Sequence, residues 1–283
     1  MATFPETALA WANGALVAVF DAVLGPMMGW PPLVGLLLVS IVTAAGMLVV
    51  VARTSDQKAM AATKRGIHAA LFEIRLFGDD PPVMLRAFGE VLVRNAHYLR
   101  LSLVPLLWMA LPLVLVIAQL QAFYGYAGLT PGEAALVTVQ MKPASTSSTA
   151  AAPILETPGE VRVETDAVQM VGSNEVLWRI VPDAAGTFTM TLRDASVEVT
   201  KSVVVSTRAG RRSPIRAQAG LADQFLYPSE APLPGDSRIA AITVSYPETG
   251  IDVFGWRIHW LIVYGVMSVL CALVLARRFG VTI

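Results

Sequence analysis

The inventory for catalysis in this chain is thin, with three histidines, a single cysteine and a scatter of acids. His68, His97 and His259 lie far apart and show none of the ligand spacing that a zinc site uses. No glycine-rich phosphate loop, cysteine pair or nucleophile elbow occurs. His259 stands between Trp256 and Trp260. It could ligate a haem or chlorophyll metal, although an aromatic belt at a membrane boundary accounts for the same neighbours. An enzyme acting at an outer surface would have Asp166, Glu175, Asp183 and Asp223 to draw on, and such acids ordinarily just solvate a β surface. The inventory predicts a protein without catalytic residues, cofactor or metal.

The elements that would position any site are set by hydropathy. About 20 consecutive apolar residues cross the hydrocarbon core as a helix. Residues 33–52, 101–122 and 258–276 meet that requirement, and the positive mean hydropathy agrees. Three transmembrane helices are therefore expected. Residues 1–32 contain no Lys or Arg, whereas the 53–100 stretch contains Arg53, Lys58, Lys64, Arg65, Arg75, Arg86, Arg94 and Arg100, and Arg277-Arg278 follow the third span. The positive-inside bias then places the N-terminus outside, 53–100 and the 277–283 tail in the cytoplasm, and 123–257 outside. The first span is too long, and its flank too uncharged, for a cleaved signal, so it reads as a retained anchor. Lys plus Arg and Asp plus Glu both number 21, so the charge gives no case for nucleic acid. Cys271 has no cysteine partner with which to staple the external segment.

Residues 5–24 read as a helix lying along the outer interface or packed on its neighbours, separated from the first span by Gly25-Pro26 and Pro31-Pro32. Within 53–100, Met60, Lys64, Ile67, Leu71 and Ile74, and then Leu85, Phe88, Leu92, Asn95 and Leu99, step by four and three, the heptad seam of a helix pair. Gly78-Asp79-Asp80-Pro81 supplies the reversal of an antiparallel hairpin. From Pro131 the period changes to two. Short strands at 136–139, 161–163, 176–180, 188–192, 197–199, 203–205 and 242–244, punctuated by Gly and Pro, predict a small β-sandwich. Trp178 followed by 186–190 is similar to the central strands of immunoglobulin-like folds. Residues 142–153 read as a flexible insertion, and 208–236 as a long loop lying against a partner or lipid head groups. The fold class expected is thus an α+β membrane protein with three transmembrane helices, a cytoplasmic helical hairpin and an extracytoplasmic immunoglobulin-like sandwich.

A family resemblance enters at the hairpin. Ser55-Asp56-Gln57-Lys58-Ala59-Met60-Ala61 resembles the Ser-Gln-Lys-Ser-Met-Ala run after the first core span of the YidC/Oxa-type membrane insertase superfamily. Gly78-Asp79-Asp80-Pro81 resembles that family's Lys-Asp-Asp-Pro turn, and Val104-Pro105-Leu106-Leu107 with Pro112 is similar to the opening of its next core span. The resemblance covers about residues 5–122. It implies a core that receives substrate helices, with Ser40, Thr43, Gln119 and Gln121 as the available polar groups of a groove. Two departures accompany it. The family's groove arginine would fall near Gly46, where the span carries no charge, and an external β domain intervenes after the second span. A charge inside a span is costly and normally kept for a task.

These features lead to two functional expectations. The first is a degenerate core serving as an accessory or scaffolding subunit of a larger membrane complex, of photosynthetic or respiratory type, in a bacterial inner membrane. The alternative is an active insertase or chaperone. The expected partners are membrane lipids and other integral membrane proteins. Candidate interaction residues are Lys58, Arg65, Asp79 and Asp80 on the hairpin, Gln119 and Gln121 in the second span, Trp178 in the sandwich, and Arg211 and Arg212 in the long loop.

Overall fold

Pro32 lacks an N–H that the first turn of a helix would leave unbonded anyway, and it opens α2 (Pro32–Thr54). A mainly apolar run, with Ser40 and Thr43 inside it and Arg53 in its last turn, continues α2 for 23 residues, about 34 Å. The chain is described by a computed structural model covering residues 4–76, 80–142, 152–170, 172–194, 197–206, 210–218, 220, 223 and 226–279. Asp79, and the segment read as flexible apart from residues 142, 152 and 153, lie outside the described residues. The architecture is α+β, with helices dominating the first half and antiparallel sheets the second. The other long helices are α1 (Phe4–Leu24), α3 (Gln57–Leu76), α4 (Pro81–Tyr124) and α5 (Trp260–Ala276). α2 and α4 are long and apolar enough to cross a membrane, whereas α5 is apolar but only 17 residues long. The chain divides into two compact units, Met1–Gly35 with Ile117–Ile262, and Leu36–Val116 with Val263–Ile283.

In the second unit, Asp56 caps α3 by accepting the Ala59 N–H at 2.9 Å. Pro81 opens α4, which continues without a break through Pro105 and Pro112 for 44 residues. The second limb of the expected hairpin and the second expected span are thus one helix. The contact between α3 and α4 differs from the heptad reading. Ala70 and Ala87 are buried, and Arg94, held by Glu90 one turn before it, lies over Gly66. Leu85, Phe88, Leu92 and Leu99 are exposed, as are Lys64 and Leu71. The contact shown is thus made by a folded arginine at a glycine rather than by the leucine stripe. On α2, Leu36, Val39, Ser40, Thr43, Ala44 and Leu48 form the buried stripe, while Leu37, Ile41 and Val42 face outward.

The first unit contains a sandwich-like pair of sheets. One sheet runs in the order β3 (Val161–Val163), β5 (Glu175–Pro182), β1 (Ala135–Met141), β9 (Ile239–Val244) and β8 (Ile215–Ala217). β4 (Val168–Met170) pairs with β5 end to end with β3. The second sheet is β2 (Ile154–Glu156), β6 (Gly186–Asp194) and β7 (Val197–Val205). β10 (Gly250–Val253) and β11 (Trp256–His259) form a separate hairpin leading directly into α5. The core lies between the two larger sheets, where Val137, Val139, Trp178 and Ile180 meet Met190, Leu192, Val199 and Val203. Leu129 joins the edge of this core by donating its N–H to the Val204 carbonyl at 3.1 Å. That approach depends on the preceding Gly128, because a Cβ there would overlap the backbone carbonyl oxygen of Ser206. Since backbone on both sides must shift, Gly128→Ala should cost about 1–3 kcal/mol. A chemical-denaturation midpoint equal to that of the parent would refute this.

Candidate functional site

Along β7 the side chains alternate, and the inward positions are Val199, Lys201, Val203 and Val205. A lysine therefore occupies a core position, opposite Met190 in the ladder and fully buried. Burying an ammonium is tolerated only when it is paired and its three donors are satisfied. Lys201 Nζ donates to the Ser213 carbonyl at 2.5 Å, to Ser213 Oγ at 3.0 Å and to a carboxylate oxygen of Glu230. Glu230 Oε1 also accepts the Ser202 N–H at 2.8 Å and the Ser202 hydroxyl at 2.6 Å, and Ser213 Oγ donates to Oε2 at 2.5 Å. Burial lowers Lys201 below the usual lysine range, although the neighbouring Glu230 pulls the other way. For Glu230, burial alone would raise the pKa. The charge of Lys201 and hydrogen bonds from Lys201, Ser202 and Ser213 outweigh it and hold the carboxyl below the usual range.

The composition of this cluster, serine with lysine and an acid, resembles a nucleophilic site, but its geometry does not. A serine–lysine pair needs a neutral lysine that accepts the hydroxyl proton. Here every donor of Lys201 is engaged, and the Ser213 hydroxyl points its proton at Glu230. Ser213 is also buried, which denies a substrate access. Tyr246 nearby accepts the Val204 N–H at 2.8 Å, and burial pushes its hydroxyl up to about 12, so it stays neutral. A cavity of about 260 Å³ beside Glu230 has mostly apolar walls, including Val17, Ala217, Pro228 and Pro232. Both Glu230 oxygens are already engaged by Lys201, Ser202 and Ser213 rather than by this space.

The segment carrying Ser213 and Glu230 is fastened at a second point. Arg211 Nε donates to Asp21 Oδ1 of α1 at 2.8 Å, and another of its nitrogens donates to Gln119 Oε1 of α4 at 3.0 Å. Its guanidinium stacks 4.7 Å from the centre of the Phe123 ring. Planarity and several donors suit arginine to this role. The next residue, Arg212, is buried, and its N–H donates to the Ala122 carbonyl at 2.8 Å. Residues 210–218 and 226–230 thus act as a strap, tied to α1 and the end of α4 by Arg211 and Arg212, and to the sandwich by Glu230.

The other sequence candidates are dispersed. Lys58, Arg65 and Asp80 are exposed on the helical pair. Gln119 is buried on Arg211, Gln121 is half-buried, and Trp178 is a core residue. Among the described residues, no group of three or more His, Cys, Asp or Glu gathers as metal ligands. His259 is exposed, and its Nδ1 accepts the Leu261 N–H at 3.2 Å. In the neutral ring this leaves the proton on Nε2, so a metal would need either a change of tautomer to bind Nε2 or the loss of the Leu261 bond to bind Nδ1. Glu175 and Asp183 flank opposite ends of β5, and Asp183 is held by Arg162.

Sequence reading missed Lys201, Ser213, Glu230 and Asp21 as a group. The one available signal was the lysine set between Val199 and Val203 at the inward phase of a strand. No protein-family model matches the chain, and no similar curated protein or solved structure is found.

Proposed function

We propose that the chain is a non-enzymatic integral membrane protein with an insertase-like helical core that no longer handles substrate. It serves as an accessory or scaffolding subunit of a larger membrane complex. α2, α4 and α5 cross the bilayer, the α3–α4 pair faces the cytoplasm, and the β region lies on the other side. The outward-facing apolar side chains of α2 and α4 favour a lipid or protein surround over water. We read the sandwich as immunoglobulin-like, in keeping with the burial of Trp178 between its sheets.

The observation that carries the subunit reading concerns the polar groups an insertion groove would need. Ser40 and Thr43 are buried in the second unit, and Gln119 is buried in the first with its oxygen held by Arg211. Three of the four groups expected to wet a substrate path are therefore turned inward. The strap adds to this by holding the sandwich against α1 and the end of α4, an arrangement suited to presenting a fixed docking face.

Native purification of the full chain should recover one defined complex at fixed stoichiometry. Recovery instead of many nascent membrane proteins in small amounts would favour the insertase reading. A second test uses Gly46, which is exposed and would meet no atom within 4 Å if it gained a Cβ. Gly46→Arg should fit sterically yet hinder membrane integration by about 2.5–3.5 kcal/mol, the cost of an unpaired charge at mid-helix. Gain of insertion activity by this variant in an insertase-depleted strain would refute the subunit reading.

A further inference from the structure

We infer that the turn between β10 and β11 is a finger seated in the bilayer interface, with Phe254 and Trp256 among the head groups and upper acyl chains. The inference rests on the membrane-spanning reading above.

The ladder pairs Val253 with Trp256, so Phe254-Gly255 is a two-residue turn. Both residues have positive φ, +54° and +84°, the pattern of a type I′ turn. Asn, Asp or Gly is the usual first residue of such a turn, and a bulky residue there is strained. The Phe254 ring packs on none of the described residues, since Phe254 is 100% exposed. The turn is nevertheless held in shape, since Asp252 Oδ1 accepts the Gly255 N–H at 2.8 Å. A strained, braced and fully exposed aromatic residue points to a partner outside the molecule.

The position of the turn in the chain indicates which partner. β11 ends at His259 and α5 begins at Trp260, with no spacer between them. The 17 residues of α5 extend about 25 Å, short of the roughly 30 Å hydrocarbon core, and Arg277-Arg278 mark its other end, so the boundary of that layer falls close to the junction of β11 with α5. The hairpin cannot go deeper, because its outer edges carry unpaired backbone groups. Trp256 is 76% exposed and Arg257 follows it, a pairing suited to the head-group zone. A protein partner fits less well. One Phe and one Trp supply about 150–250 Å² each, whereas a stable interface needs about 800 Å² per side. A lipid interface sets no such minimum.

The test uses the full chain on a Cys271→Ala background, in bilayer discs of phosphatidylcholine and phosphatidylglycerol that leave both faces open to solution. Single cysteines are placed by Phe254→Cys, by Asp183→Cys as a solvent reference and by Leu270→Cys within α5. Each is reacted with a charged thiol reagent. The inference expects position 254 to react at least an order of magnitude more slowly than position 183, while position 270 is inert. Equal rates at 254 and 183, with 270 still inert, would overturn the finger and leave the spanning reading intact. Rapid reaction at 270 would overturn the spanning reading, and the finger with it. Protection at 254 that disappears as the lipid-to-protein ratio rises would identify contact with a second copy, again against the proposal.

Discussion

Replacing Glu230 with alanine should destabilise the β region by about 3–5 kcal/mol, because Lys201 is left as an uncompensated charge at a fully buried position. The loss far exceeds that of a surface pair, which is worth at most about 1 kcal/mol. Replacing both partners, as Lys201→Met with Glu230→Leu, should recover most of the stability, since a packed apolar pair carries no desolvation penalty. Denaturant unfolding of Lys201→Met, Glu230→Leu and the double variant gives the coupling directly. A Glu230→Ala loss near that of a surface pair would show that the charge is not sealed from water. Acid should act in the same direction. The folded Glu230 carboxyl titrates below its unfolded value, so between those two values the unfolded chain binds more protons. The contribution of the pair is therefore full above the ordinary glutamate range and declines as pH falls through the folded pKa. Glu230→Ala should remove that part of the pH dependence.

The second large effect is expected at the other end of the strap. Arg211→Ala removes charge-assisted bonds to Asp21 and Gln119 and the stacking on Phe123, and should cost about 2–3 kcal/mol. Asp21 is partly exposed and can regain water, so the main loss falls on the buried Gln119 and the Phe123 face. Arg211→Lys should recover less than half, because an ammonium cannot span two acceptors and a ring in one plane. Hydrogen exchange of the full chain in detergent provides the measurement. Amides of α1 should exchange faster in Arg211→Ala than in the parent, while β6 and β7 stay protected. Unchanged protection of α1 would show that the clamp does not hold that helix.

Several strands were legible from simple alternation. Val137 and Val139 in β1, Val176, Trp178 and Ile180 in β5, and Ile242 and Val244 in β9 point inward as a two-residue period requires. β7 was read as two short strands because Lys201 looks like an outward residue by type. Its acid lies 29 residues away, in a segment with no period of its own, so local sequence offered no hint of the pair. The helical pair shows the opposite difficulty. Leu85, Phe88, Leu92 and Leu99 have heptad spacing, but spacing names a face without naming what covers it. α3 instead meets α4 where the Arg94 side chain lies over Gly66, and Ala87, not the leucines, is buried on α4. The β10–β11 hairpin escaped notice because Phe-Gly lacks the Asn-Gly signature of a tight turn. The polar residues of the clamp were partly visible, with Gln119, Arg211 and Arg212 each conspicuous alone. Their convergence was not, because it depends on tertiary contacts between distant segments.

The Arg211–Asp21 pair closes across 190 residues of sequence, which has a consequence for biogenesis. At roughly 5–20 residues per second, the ribosome needs about 10–40 s after making the aspartate before it polymerises the arginine. For most of that interval the first helix is outside the tunnel without the group that will anchor it. The early chain must be held by the bilayer or by a waiting protein until translation reaches the strap, and a ribosomal stall between these two positions would prolong that dependence.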